Sequence, residues 1–180
     1  MGLTEGGGIE VNIDHIGKQF WIIGTPFDAN KLVFDLSTQR INKPSKAMWT
    51  STFIDDDCLS AWMEWCMGED FSTFEGEGSS YIVTPKDKLK LYQIDTYEDI
   101  ENLYCKSGFL WNDLMIDFKK YKEEGYDGIN LTGKGNCIVK ENFSDALIKA
   151  IPDLCCWDCE STVWLHGDWF KTIEPYYIRR

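Results

Sequence analysis

The sequence predicts a single domain of mixed strands and helices, and three observations carry that expectation. Short runs rich in aromatic and β-branched residues, such as Phe20-Trp21-Ile22-Ile23 and Tyr81-Ile82-Val83-Thr84, have the bulk of buried strands. Between such runs, Leu59, Trp62, Met63 and Cys66 repeat at i, i+3, i+4 and i+7, the spacing of one helical face. The 180 residues are 43% hydrophobic and 14% aromatic, which suffices for one core but is short for two, since domains most often run to roughly 100–150 residues.

In chain order, residues 1–8 hold Gly6-Gly7-Gly8 and read as a flexible leader, so the folded domain is expected over 9–180. Residues 20–23 form the first core strand, stopped by Gly24-Thr25-Pro26. Leu32, Phe34 and Leu36 alternate as a short half-buried strand, and 39–46, polar and containing Pro44, read as a surface loop. Residues 47–53 are the second clear strand. Asp55-Asp56-Asp57 follows it at the expected start of a helix, where carboxylates complement free N–H groups, and Gly68 ends that helix. Residues 69–80 are acidic and glycine-rich, an exposed loop of the kind that flanks a site.

Residues 81–84 and 89–94 read as two strands of a hairpin around Pro85. Thr96-Tyr97-Glu98-Asp99 has the pattern of a capped helix start, with the helix expected to end near Gly108. Trp111, Leu114, Met115, Phe118 and Tyr121 mark a further amphipathic helix, with lysines toward its C-terminal end and Gly125 just past it. A strand over 126–131, a short helix over 143–151 stopped by Pro152, a strand over 159–165 and a packed tail over 170–178 complete the reading.

Thirty acidic against eighteen basic residues give a formal charge of −12, which opposes attraction to phosphate backbones and anionic membranes. The same charge suits a solubility role or docking on a basic protein surface, including one that holds nucleic acid. The longest apolar runs fall far short of a membrane span, and no secretory pattern opens the chain, so a cytoplasmic location is expected. Seven cysteines, an odd number without a regular framework, fit a reducing compartment. In that setting the sequons at Asn130 and Asn142 carry no weight.

Several constellations bear chemistry. Cys156 and Cys159 have C-x2-C spacing, with Cys155 and His166 nearby; a zinc site, a redox pair and buried apolar thiols are the alternatives, and no second ligand pair stands at a zinc spacing. The only histidines, His15 and His166, lie in no nucleophile motif. Residues Gly128 to Lys134 match the start of a phosphate-binding loop, but Gly135 stands where Ser or Thr holds magnesium, so a strand running into a glycine turn is expected instead. Thr50-Ser51-Thr52 places hydroxyls on a strand that large residues otherwise bury. Asp158 and Glu160, two apart, share one face at the start of another, where paired carboxylates can stabilise positive charge on a sugar ring.

The order of four segments resembles the ADP-ribosyltransferase family, particularly its small divergent phage, toxin and effector members. The segments are Gly24-Thr25 closing a first strand, Thr50-Ser51-Thr52 before a helix, Tyr126-Asp127-Gly128-Ile129, and Asp158-Cys159-Glu160 opening a late strand. The resemblance implies an α+β fold with a split, mostly antiparallel sheet flanked by short helices. It implies NAD as substrate in a cleft, mono-ADP-ribosyl transfer to a protein or other macromolecular target, and no metal. Glu160 is then the catalytic acid, Ser51 orients it, and Asp158 engages the target nucleophile. Gly24, Thr25 and Thr52 contact the dinucleotide. Where such proteins carry His or Arg before the glycine, this chain has Ile22-Ile23, and no basic residue is nearer than Lys18. That departure supports a second expectation, a catalytically degenerate acidic binding protein or inhibitor from a mobile element that docks on a basic host protein.

Overall fold

The computed structural model describes residues 16–22, 26–38, 42–70, 80–107, 114–141, 152 and 154–177. The strands are β1 (Gln19–Ile22), β2 (Asp35–Thr38), β3 (Pro44–Lys46), β4 (Met48–Thr52), β5 (Ser80–Pro85), β6 (Leu91–Ile94), β7 (Cys105–Ser107), β8 (Leu114–Ile116), β9 (Gly128–Leu131), β10 (Ser161–Trp164) and β11 (Phe170–Tyr176). The α-helices are α1 (Ala61–Gly68), α2 (Tyr97–Glu101), α3 (Phe118–Glu123) and α4 (Gly133–Glu141). The chain is therefore α+β, with a mostly antiparallel sheet and short helices.

Seven strands hydrogen-bond in the order β11-β5-β1-β4-β10-β9-β6, and only the β9–β6 pairing is parallel. Successive residues of β10 feed different cores: Val163 packs among Ile129, Leu131 and Ile94, whereas Trp164 packs among Met48, Trp21 and Trp169. Burial on both faces explains why these strands read as continuous apolar runs rather than alternating ones. Buried hydroxyls and amides are paired off within the sheet. Thr50 Oγ1 accepts from Trp164 Nε1 at 2.8 Å and donates to Gln19 Oε1 at 2.7 Å, while Asn130 Nδ2 donates to Thr162 Oγ1 at 2.9 Å.

One feature of β4 organises the centre. Its first three residues pair with β10 (Met48↔Trp164, Trp49↔Val163, Thr50↔Thr162), and its last two pair with β1 (Ser51↔Phe20, Thr52↔Gln19). The two neighbours thus meet β4 at different heights.

Several sequence expectations are corrected. β5 and β6 form no hairpin: β1, β4, β10 and β9 lie between them in the sheet, and Lys88 turns the connection with φ +62°. α1 starts not at the aspartates but at Ser60, whose hydroxyl caps Met63 N. Asp55 Oδ1 instead accepts from the amides of Asp57 and Cys58 in a local turn, the competition that keeps Asp out of helix interiors. α2 has the expected capping box between Thr96 and Asp99 but ends at Glu101, and Cys105–Ser107 forms β7 paired with β8. The amphipathic stretch after it divides into β8 and α3, because Asp117 caps Lys120 N and starts the helix there.

Pro44–Lys46, expected as loop, is a short strand paired with β2, and residues 170–176, expected as a packed tail, form edge strand β11. The glycine turn after β9 is instead the start of α4, where Thr132 Oγ1 accepts from Gly135 N at 3.0 Å. The leader, Gly24, Thr25, Gly108, Trp111, residues 71–79 of the acidic loop and residues 143–151 lie outside the described residues.

Gly135 shows why the phosphate-loop pattern breaks here. A Cβ at this position would stand 2.2 Å from the backbone oxygen of Ile94, so α4 can approach β6 only through glycine. Gly135→Ala is expected to destabilise the fold by on the order of 3 kcal/mol, the upper end for overpacking, since the atom it meets is backbone. Urea unfolding checks this; an unchanged midpoint would contradict the close approach.

Candidate functional site

The change of partner along β4 leaves a backbone donor without a strand opposite it. Phe53 N donates to Lys18 O on the β1 side, so the amide of Thr52, one residue earlier, points to the β10 side. The ladder with β10 has already ended at Thr50. Glu160, immediately before β10, fills the place. Its Oε2 accepts from Thr52 N at 2.9 Å and Ser51 Oγ at 2.8 Å, and its Oε1 accepts from Thr52 Oγ1 at 3.0 Å. One side chain thereby replaces the missing rung. Among the described residues Glu160 forms no ion pair, so its charge is met by neutral donors alone.

Beside this junction lies a cleft of about 270 Å³, lined by Phe20, Ile22, Trp49, Trp62 and Trp157 and by the polar Lys43, Thr50, Ser51, Asp158, Cys159 and Ser161. Ser51 is shared: it lines the cleft, and its hydroxyl donates to Glu160 and accepts from Trp62 N at 3.3 Å. Glu160 and Thr52 are not lining residues and reach the cleft through Ser51. Trp157 packs edge-on against Trp49 at 4.8 Å, and Lys43 Nζ stands 3.6 Å from Asp158 Oδ2 and 5.5 Å from the Trp49 ring centre.

Asn42 holds this wall. It is buried with φ +53°, a left-handed conformation that Asn tolerates better than most residues. Its Oδ1 accepts from Ile116 N at 2.8 Å, and its carbonyl accepts from Trp157 Nε1 at 2.9 Å. From the other side Asn136 Nδ2 donates to Trp157 O at 2.8 Å. Asn42 therefore fixes Trp157 beside Lys43, its neighbour in the chain.

The residues singled out from sequence distribute clearly. Ser51, Thr52 and Glu160 meet in one hydrogen-bonded group. Asp158 lines the cleft but points its carboxyl at Lys43 rather than joining Glu160. Gly24 and Thr25 lie outside the described residues, although Ile22, just before them, lines the cleft. His166 stands at the other end of β10: its Nδ1 accepts from Asp168 N, which leaves Nε2 to donate to Asp127 Oδ1 at 2.9 Å.

Sequence reasoning missed Lys43, Asn42, Trp62 and Trp157. Only Trp157, adjacent to Asp158, carried a local signal.

Of the C-x2-C pair, Cys159 is buried and Cys156 half-buried. Burial, with a smaller contribution from the Glu160 and Asp158 carboxyls, pushes the Cys159 thiol up to about 12 and so holds it protonated. Burial alone pushes Cys66 up to about 11. Among the described residues no group of three or more His, Cys, Asp or Glu side chains is placed to hold a metal ion, and no helix is long and apolar enough to cross a membrane.

Compared with protein-family models, with curated proteins and with solved structures, the chain matches none of them.

Two outcomes follow. Glu160→Ala strips the partner from the part-buried Thr52 N–H and is expected to destabilise the fold by about 1 kcal/mol in urea unfolding, the low end of the cost of orphaning a donor. Glu160→Gln, which keeps an acceptor oxygen, should cost less. Because both thiols have folded values above the ordinary one, the stability they contribute is complete below pH 9 and is lost as pH rises toward 11–12. The thermal midpoint should therefore fall across that window, and fall less in a Cys66→Ala/Cys159→Ala double variant.

Proposed function

We propose that this protein is a mono-ADP-ribosyltransferase that uses NAD as substrate to modify a macromolecular target, with Glu160 as its catalytic carboxylate. The observation that carries this reading is the triple hold on Glu160 by Ser51 Oγ, Thr52 N and Thr52 Oγ1, beside an aromatic cleft that Ser51 also lines.

The residues present suit such a substrate in part. A cleft of about 270 Å³ with tryptophan walls takes one flat ring and its substituents rather than a whole dinucleotide. Bound NAD supplies a glycosidic bond whose cleavage leaves positive charge on the ribose. In this reading Glu160, which meets the cleft through Ser51, is the carboxylate that stabilises that charge, and preorganised charge stabilisation of this kind is usually the largest catalytic effect. Ser51 and Thr52 are positioning residues: they fix the carboxyl before substrate arrives, so no reorganisation is required during reaction. Oε1 accepts one of these hydrogen bonds against two for Oε2, and retains more capacity for a ribose hydroxyl. In this reading Asp158, on the cleft wall, receives the target nucleophile once its carboxyl leaves Lys43.

A second reading rests on a different observation. Where a cation would grip the dinucleotide, Ile22 offers an apolar side chain, and Lys43, the one cation among the lining residues, is already paired with Asp158. With a formal charge of −12, the chain then acts as an acidic binding protein for a basic, nucleic-acid-binding partner.

Incubation with labelled NAD and lysate separates the two. Label transfer that falls by on the order of a hundredfold or more in Glu160→Gln supports the transferase. No transfer, together with no thermal shift on adding NAD, overturns it. Salt-sensitive copurification with a basic protein would then favour the second reading.

A further inference from the structure

Cys155 and Cys156 occupy the two central positions of a tight turn, closed by Trp157 N donating to Leu154 O at 2.9 Å. In extended chain, successive side chains point to opposite sides. This turn instead brings the two sulfurs to 3.8 Å from each other. Cys155 is exposed and Cys156 half-buried, so the pair is open to solvent, in contrast to Cys159 and Cys66. Both ends of the turn are anchored, because Leu154 and Trp157 are buried in the same core. The residues after the turn are those of the cleft: Trp157, Asp158 and Cys159 line it, and Glu160 holds Thr52.

We infer that Cys155 and Cys156 form a dithiol modification site whose oxidation reshapes the adjoining cleft wall. The co-reactant class is a small disulfide such as oxidised glutathione. One thiolate attacks its S–S bond, releasing the first thiol and leaving a mixed disulfide. The second cysteine then displaces the remaining thiol, so that an S–S bond joins Cys155 to Cys156. Two protons and two electrons leave the protein, and one disulfide outside it becomes two thiols. The new bond closes a small ring that contains the Cys155–Cys156 peptide. That ring constrains the dihedrals on which the turn depends. The change passes directly to Trp157, whose amide closes the turn and whose ring meets Trp49. This inference stands whatever reaction the cleft performs.

The experiment treats the full chain with oxidised glutathione and follows it by peptide mass spectrometry and hydrogen exchange, alongside Cys155→Ser, Cys156→Ser and Cys159→Ser. The expected result is loss of two hydrogens from the peptide holding residues 155 and 156, absent in the first two variants, kept in the third and reversed by dithiothreitol. Deuterium uptake should rise in peptides covering 157–164 and 48–52, where the Thr52 amide loses protection. Phenylarsine oxide, which bridges two close thiols with release of water, should bind one per chain with the same dependence on Cys155 and Cys156. A stable mixed glutathione adduct without closure, or an arsenic adduct that survives Cys155→Ser, would overturn the paired site. Closure with no change in exchange would overturn its control of the cleft.

Discussion

The structure turns on a backbone amide. β4 meets β1 and β10 over different residues, and the N–H of Thr52 points to the β10 side at a place that lies before β10 begins. Inside a fold such a donor must find a partner, since leaving it bare costs roughly 1–3 kcal/mol. A longer β10 would supply a carbonyl and continue the sheet. This chain supplies the carboxyl of Glu160, and the consequence is a half-buried carboxylate pinned at the end of β4 with a serine and a threonine around it. A requirement of folding and a feature suited to chemistry are met by the same three residues.

The cleft follows from the same divergence. Phe20 and Ile22 come from β1, Trp49, Thr50 and Ser51 from β4, Trp62 from α1, and Trp157, Asp158, Cys159 and Ser161 from the approach to β10 and its first residue, so the walls are the elements that part company there. Asn42 and Asn136 clamp Trp157 from two sides by its indole nitrogen and its carbonyl. The opposite end of β10 is closed differently. Asp127 accepts from both Lys90 N and His166, and Leu165 N donates to the Asp127 carbonyl, a polar knot that ties β9 to β10 and holds no nucleophile.

What the sequence made legible was local. The strands at β1, β4 and β10 carry their own apolar bulk, Thr96 and Asp99 spell out a capping box, and Gly125 past α3 adopts the positive φ its position suggested. Thr52, Ser51 and Glu160 were readable as a group only through the order of short motifs along the chain, since 108 or more residues separate the partners. What failed to show was non-local pairing. β5 and β6 look like a hairpin because they are consecutive, yet their partners are β1, β11 and β9. The amphipathic stretch around Met115 broke into strand and helix because Asp117 caps within it, and tertiary pairing with β7 overrode the helical spacing. Asn42 gave no signal, because its importance lies in a left-handed φ and in partners that are 74 and 115 residues away.

The central claim is that the carboxyl fixed at this strand divergence faces the ribose of a bound substrate. The crystal structure of the protein with NAD tests it most directly, using Glu160→Gln to slow turnover. The expected result is a nicotinamide ring between the cleft tryptophans and the residue-160 side chain within hydrogen-bond reach of a ribose hydroxyl, still held by Ser51. A dinucleotide bound elsewhere, or a cleft that remains empty at saturating NAD, would contradict the account.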